Sequence, residues 1–188
     1  MGREDFEIIR SSRRTVSLEI TSDGQVVVRA PRYMPEAEIR AFVESKSAWL
    51  AKHLQKREKD LESLQEEGCF TDLEVKRLYE LAKQVIPEKV AYYARLMGVT
   101  YGRISIRKQK TRWGSCSREG NLNFNCLLMM APPEVLDYVV VHELCHRLEM
   151  NHSARFWAQV EKMIPDYRKP RKWLKECGSK LMMRADLG

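Results

Sequence analysis

Three histidines and a glutamate lie close together near residue 145, and residues of these types can hold and use a catalytic metal. Residues 139–146 read VVVHELCH. Because an α-helix turns once per 3.6 residues, His142 and His146 project from nearly the same side and can bind one Zn²⁺. Glu143 follows the first histidine directly, so its carboxylate can reach a water bound to that metal. The pattern predicts a hydrolytic zinc site with Glu143 as the general base.

A hydrolytic zinc usually has three protein ligands and keeps its fourth position for water. The chain has four histidines, and His152, separated from His146 by five residues, is the candidate for the third ligand. Metzincins use the same interval, with a glycine where this chain has Glu149. We therefore expect a different turn, with Asn151 in the left-handed conformation that asparagine tolerates. His53 lies in a charged segment and is expected to be a plain surface residue.

Hydrophobic spacing predicts the elements that must position this motif. A long apolar helix is expected after Pro132-Pro133 and reaches to about Met150. The other elements expected in the second part of the chain are strands at Arg103–Arg107 and Asn121–Asn125, and helices over Ser153–Met163 and from Arg168 onwards. The fold class is therefore α+β, with the active-site helix packed on a small sheet and flanking helices around it.

The front of the chain predicts a β-hairpin followed by helices. Alternating apolar residues over 16–20 and 26–28 flank the turn Ser22-Asp23-Gly24, which is a good hairpin signal. An amphipathic helix is expected from Glu36 through the charged stretch that ends near residue 67. Gly68 is then the expected break between a front lobe, residues 1–68, and a core lobe, residues 69–188, of one single domain.

Helical spacing resumes at Thr71, where a further helix is expected to begin. Pro87 is expected to end or kink this helix, since proline removes a backbone donor and crowds the preceding turn. A second helical segment is then expected from Glu88 towards Met97, and Gly98 is expected to stop it.

The segment before the second strand carries two further candidate features. In zincins, a strand beside the active helix can pair with an extended peptide, and Gly114 would allow a close backbone approach here. The alternative is a tight hairpin with Trp113 in the core. A cationic cluster lies just upstream and is a candidate for binding phosphate or a nucleic-acid backbone, or else a solvated strand edge. Its members are Arg103, Arg107, Lys108, Lys110 and Arg112.

Several strings of the sequence together resemble the YgjP-like metallopeptidase family, which is related to the SprT-like and WLM-type zincins. The strings are TRWGSCS at 111–117, GNLNFN at 120–125, DYVVVHEL at 137–144, and NHS at 151–153 with Phe156-Trp157. The resemblance also includes Arg13-Arg14, Pro165-Asp166-Tyr167 and Trp173-Leu174. It implies a minimal zincin-like core with His152 as third ligand, and it leaves the substrate open.

Composition limits the remaining function classes. The 188 residues carry a formal net charge of +7, which is compatible with a polyanionic partner such as nucleic acid or a nucleotide, and equally with a solvated basic surface. The longest apolar run, residues 126–133, is too short to span a bilayer, and the charged start does not read as a signal peptide. A cytoplasmic protein without membrane association is therefore expected, and its five scattered cysteines are expected to be free thiols.

These observations favour a zinc-dependent hydrolase, most simply a metallopeptidase acting on polypeptides. The alternative is a zinc-dependent nucleotide phosphohydrolase that uses the cationic cluster, with Arg107, Lys110, Arg112 and Trp113 as candidate substrate-binding residues. A third hypothesis is a nucleic-acid-binding module with structural zinc. It is disfavoured because structural zinc normally has four protein ligands, thiolates among them. The oligomeric state is left open by the sequence.

Overall fold

The computed structural model describes residues 6–21 and 24–186. Helices combine with two three-stranded sheets, which confirms the predicted α+β class. The chain divides into two compact units, Met1–Glu66 and Glu67–Gly188, and each has its own cluster of buried apolar residues. That the two lobes make one single domain stays a prediction.

The first unit is a small sheet with two helices. Its elements are β1 (Phe6–Ser11), β2 (Ser17–Ile20), β3 (Val26–Pro31), α1 (Glu36–Ser45) and α2 (Ser47–Glu67). β2 and β3 pair antiparallel, which confirms the predicted hairpin, although Ser22 and Asp23 of its turn lie outside the described residues. β1 was not predicted. It pairs with β3 in parallel, so β3 is the central strand.

The second unit contains the predicted metal motif. Its elements are α3 (Asp72–Met97), β4 (Ile104–Arg107), β5 (Gly114–Cys116), β6 (Leu122–Asn125), a 3₁₀ helix (Cys126–Met130), α4 (Pro133–Cys145), α5 (Ala154–Met163) and α6 (Arg168–Asp186). The strand order is β4-β6-β5, with β4 parallel and β5 antiparallel to β6. The short strand β5 was not predicted, and its place at the edge of the sheet is important for the site described below.

The prediction that Pro87 ends the third helix was wrong, because α3 continues through it, and a kink at Pro87 stays a prediction. Its start is fixed by a capping box between Thr71 and Glu74. As predicted, it stops at Gly98, and this glycine has the left-handed conformation. One face of α3 is buried in the core, through Ala82, Ile86, Val90 and Ala94. Burial of each large apolar side chain contributes about 1.5–3 kcal/mol, which offsets the roughly 3 kcal/mol cost of an internal proline.

Helix α4 lies in the middle of the core. Pro133 occupies its first turn, where the missing backbone N–H costs nothing, and buried residues follow on all sides of the helix. The prediction that this helix reaches about Met150 was wrong, because it ends at Cys145. Turn hydrogen bonds replace the helix there, from the Arg147 amide to the Leu144 carbonyl and from the Glu149 amide to the Cys145 carbonyl. Among the described residues, no helix is both long enough and apolar enough to cross a membrane.

Candidate metal centre

The end of α4 positions two of the three clustered histidines. His142 lies in the last turn of the helix, and His146 is the residue that caps it. His146 keeps helical backbone angles, φ −64° and ψ −13°, so the four-residue spacing still places both imidazoles on one side. The imidazole rings lie with their centroids 5.1 Å apart.

The third histidine is positioned by the start of α5. The Ser153 side chain accepts a hydrogen bond from the Phe156 amide at 3.3 Å and so fixes the first turn of that helix. His152 directly precedes this cap. The expectation of a left-handed Asn151 was wrong, since every non-glycine residue among those described has a negative φ. Instead, the Ser153 amide donates to the Asn151 carbonyl at 2.7 Å, which tightens the chain before the helix.

The three imidazoles converge on one point. Each offers a ligand nitrogen, and these nitrogens all lie within 4.8 Å of one another. The Nε2 atoms of His142 and His152 are 3.0 Å apart. His146 uses its Nδ1 in a contact of 3.3 Å with the Glu149 carbonyl, so that its Nε2 is left with a lone pair for a ligand bond. The arrangement can therefore hold one metal ion.

The electrostatic surroundings favour the neutral imidazole that a metal requires. Burial, with the neighbouring His146 and His152 adding to it, lowers the pKa of His142 to about 3. Burial also lowers the pKa of His146. A neutral histidine keeps its lone pair free of a proton at ordinary pH, and nitrogen ligands of this kind suit zinc. The donor set thus fits a zinc ion.

An aromatic wall supports all three histidines. The Phe156 ring is fully buried, and its centroid lies 4.7–4.9 Å from those of His142, His146 and His152. Trp157 stacks on His152 at 5.8 Å and on Tyr167 at 5.3 Å. Because His142 Nδ1 has no hydrogen-bond partner among the described residues, its ring is held by this packing.

Glu143 is buried next to the histidines, with 5% of its surface exposed. Burial raises the pKa of its carboxyl to about 8. A proton acceptor works best when its pKa is close to the working pH, and a nearby cation would lower this value towards neutrality. The arrangement suits a general base.

Strand β5 passes directly over the Glu143 carboxylate. A Cβ atom at Gly114 would lie 2.6 Å from Glu143 Oε1, so only glycine allows this approach. Two side chains hold the segments that flank the strand. Asn125 donates through Nδ2 to the carbonyls of Gln109 and Arg112, and Arg147 donates to the carbonyls of Thr100 and Arg118. The edge of β5 is therefore fixed beside the candidate centre.

The cationic cluster is dispersed by the fold. Arg107 lies on β4, at the opposite edge of the sheet from β5. Lys110 forms an ion pair with Asp186 at 2.6 Å, and Lys108 donates to the Ala185 carbonyl, so both reach the end of α6. Arg112 is exposed. Trp113 packs against the core and against α6. Its indole lies so close to Gly178 of that helix that a Cβ atom added there would be 3.0 Å from it.

Three groups around the centre were not predicted from the sequence. They are Arg147, the Glu149 backbone, and Arg171, whose guanidinium carbon lies 4.3 Å from the Trp157 ring centroid. Arg147 is adjacent to the motif, so its position alone could have drawn attention to it. Arg171 lies nineteen positions after His152, and only the tertiary contact reveals it.

A comparison with known proteins found a matching family model and similar solved structures. A family model described as YgjP-like, metallopeptidase domain, matches residues 14–78 and 72–177. Similar solved structures include the metallopeptidase zymogens abylysin of Pyrococcus abyssi, with 22% identity, and jannalysin of Methanocaldococcus jannaschii, with 19%. Both comparisons cover 48% of this chain and 94% of the other, with TM-scores of 0.44. No curated protein matches the chain.

Proposed function

Because the chain belongs to the YgjP-like metallopeptidase family, we propose that it is a zinc-dependent peptidase. In this proposal, His142, His146 and His152 hold the metal and Glu143 is the general base. The observation that carries it is the convergence of three imidazole nitrogens within 4.8 Å beside a buried carboxylate. A zinc ion held there would lower the pKa of water and polarise the scissile carbonyl.

The protein groups have separate tasks in peptide hydrolysis. The Glu143 carboxylate accepts a proton from the attacking water and delivers it to the nitrogen of the leaving amine. The apolar surroundings of Glu143 exclude bulk water and keep its basicity high. Phe156 keeps the three imidazoles in fixed orientations, so that binding a metal costs little reorganisation.

An extended polypeptide is the substrate that this surface suits. β5 is an edge strand, and its backbone groups can pair with a peptide that runs alongside it. Since Gly114 lies against Glu143, a peptide on that edge would have its scissile bond next to the base.

The alternative functions have less support. A nucleotide phosphohydrolase would use the cationic cluster, but Lys110 is already paired with Asp186 and Arg107 lies on the far edge of the sheet. A structural zinc would need a fourth protein ligand. Among the described residues, the metal-binding group consists of the three histidines alone.

The test is a paired assay of the zinc-loaded protein on an unfolded polypeptide and on a panel of nucleoside triphosphates. We expect polypeptide cleavage and no triphosphate hydrolysis. Glu143→Gln keeps the side-chain shape and removes the base, so turnover should fall by about 10²-fold or more while zinc stays bound. Undiminished turnover in this variant would rule out Glu143 as the base. Triphosphate hydrolysis alone would support the phosphohydrolase.

Glu134→Gln provides a matched control. This carboxylate lies in the first turn of α4, the same helix that carries Glu143. Its loss should leave both the zinc content and the turnover unchanged.

A further inference from the structure

Arg171 is a cation beside the three histidines that the proposed reaction does not use. Its guanidinium carbon lies 4.3 Å from the Trp157 ring centroid, and that indole stacks on His152 at 5.8 Å. The guanidinium therefore lies one aromatic ring away from His152, at the rim of the candidate centre.

Among the described residues, Arg171 forms no ion pair, whereas two cations at the far end of α6 do. Arg184 pairs with Glu67, and Lys110 pairs with Asp186. Arg171 is exposed, and its guanidinium contacts the face of the Trp157 indole. Packing against an aromatic ring orients the planar guanidinium. Its N–H groups, which lie in the guanidinium plane, stay available to a ligand.

A guanidinium next to a site for a divalent cation is repelled by that cation unless an anion lies between them. The anions that a polypeptide offers are carboxylates, and a guanidinium binds them through two parallel N–H···O hydrogen bonds. We infer that Arg171 binds a carboxylate of the peptide substrate and gives the site a preference for a negative charge near the scissile bond. This inference rests on the proposed peptidase function. The carboxylate is supplied either by an acidic side chain or by the peptide C-terminus.

Binding is measured by calorimetry with the zinc-loaded Glu143→Gln protein, which cannot turn the peptides over. Three peptides of equal length are compared: one with an internal Glu and an amidated C-terminus, one with Gln and a free C-terminus, and one with Gln and an amidated C-terminus. At least one charged peptide should bind on the order of tenfold more tightly than the neutral one, as expected for one charge-assisted contact. The tighter of the two charged peptides identifies the source of the carboxylate.

Introducing Arg171→Gln should remove this difference while leaving the binding of the neutral peptide unchanged. Arg171→Lys keeps the charge and should retain part of the preference, which separates charge recognition from loss of packing on Trp157. Arg168→Gln is the matched control. It removes the same charge from the same helix, at a residue whose ring contact is with Tyr167 at 5.9 Å, and the preference should persist.

The outcomes separate this inference from the proposed function. If the wild-type protein cleaves all three peptides and Arg171→Gln, with normal zinc content and thermal stability, keeps the preference, the inference is wrong and the peptidase proposal stands. Equal binding of charged and neutral peptides by the protein with Arg171 intact also overturns it. If the wild-type protein cleaves none of the peptides and hydrolyses triphosphates instead, the proposed function itself fails.

Discussion

At the scale of single residues, the candidate site is three imidazoles and one buried carboxylate. Burial lowers the pKa of His142 and of His146, which favours the neutral form of these two rings. The carboxyl of Glu143 is affected in the opposite direction, because burial disfavours the charged form of each group. One apolar pocket therefore prepares both the ligands and the base.

Replacement of any one histidine should reduce bound zinc well below one ion per chain. His142→Ala, His146→Ala and His152→Ala each leave two ligands, and two ligands hold zinc poorly. The measurement is metal content after dialysis. His53→Ala is the control, because this exposed ring stacks on Trp49 in the first unit and should not affect zinc. Full zinc occupancy in His152→Ala would show that another residue is the third ligand, and Glu149 would be the next candidate.

At the scale of elements, the site depends on the contact between α4 and β5. The helix carries Glu143, and the strand approaches it through a residue without a side chain. The turn between β5 and β6 is fixed by Arg147, which follows His146 in the sequence. Glu143 and Arg147 thus connect the metal motif to the edge strand.

Gly114→Ala should reduce kcat by about 10²-fold, because displacing a catalytic group by about 1 Å can cost that much. The added Cβ atom would meet Glu143 Oε1 at 2.6 Å and push the carboxylate from its place. Zinc content should not change, since the clash does not involve a histidine. The measurement is turnover per zinc-loaded protein.

Gly102→Ala is a matched control for this change. Its Cβ atom would meet Asn121 Oδ1 at 2.7 Å, a similar clash that involves neither Glu143 nor a histidine. It should lower the melting temperature without changing kcat of the folded protein. If the two variants lost turnover equally, a general loss of stability would explain the Gly114 result.

At the scale of the whole molecule, the residues of the cationic cluster lie on separate elements and do not form one patch at the histidines. The formal net charge is +7. Lys108 and Lys110 nevertheless contact the end of α6, and Arg107 lies on β4. This distribution fits a solvated basic surface better than a phosphate-binding site.

Raising salt from about 50 to about 200 mM should change kcat/KM on a neutral peptide by less than about twofold. Charge screening has little effect where substrate binding uses backbone pairing. Arg107→Ala, Lys110→Ala and Arg112→Ala should likewise leave this activity nearly unchanged. A steep salt dependence of whichever activity is found, together with additive losses in these variants, would instead assign the cluster to a polyanionic substrate.

The sequence by itself determined the features that depend on local spacing. His142, Glu143 and His146 are neighbours because a helix repeats every 3.6 residues, and this period is visible in the chain. The hairpin of β2 and β3, the start of α5 and the end of α3 at Gly98 likewise follow from short-range turn and capping preferences.

Only the tertiary structure decided the features that depend on contacts between distant residues. β1 is a strand because it pairs with β3, and β5 because it pairs with β6; neither segment has a strong pattern of its own. Packing in the core carries α3 through Pro87, where local rules predict a break. The approach of Gly114 to Glu143 and of Arg171 to Trp157 joins segments that are far apart in the sequence. Such contacts form only when the whole core is assembled, because their free energy comes from burial and not from local conformational preference.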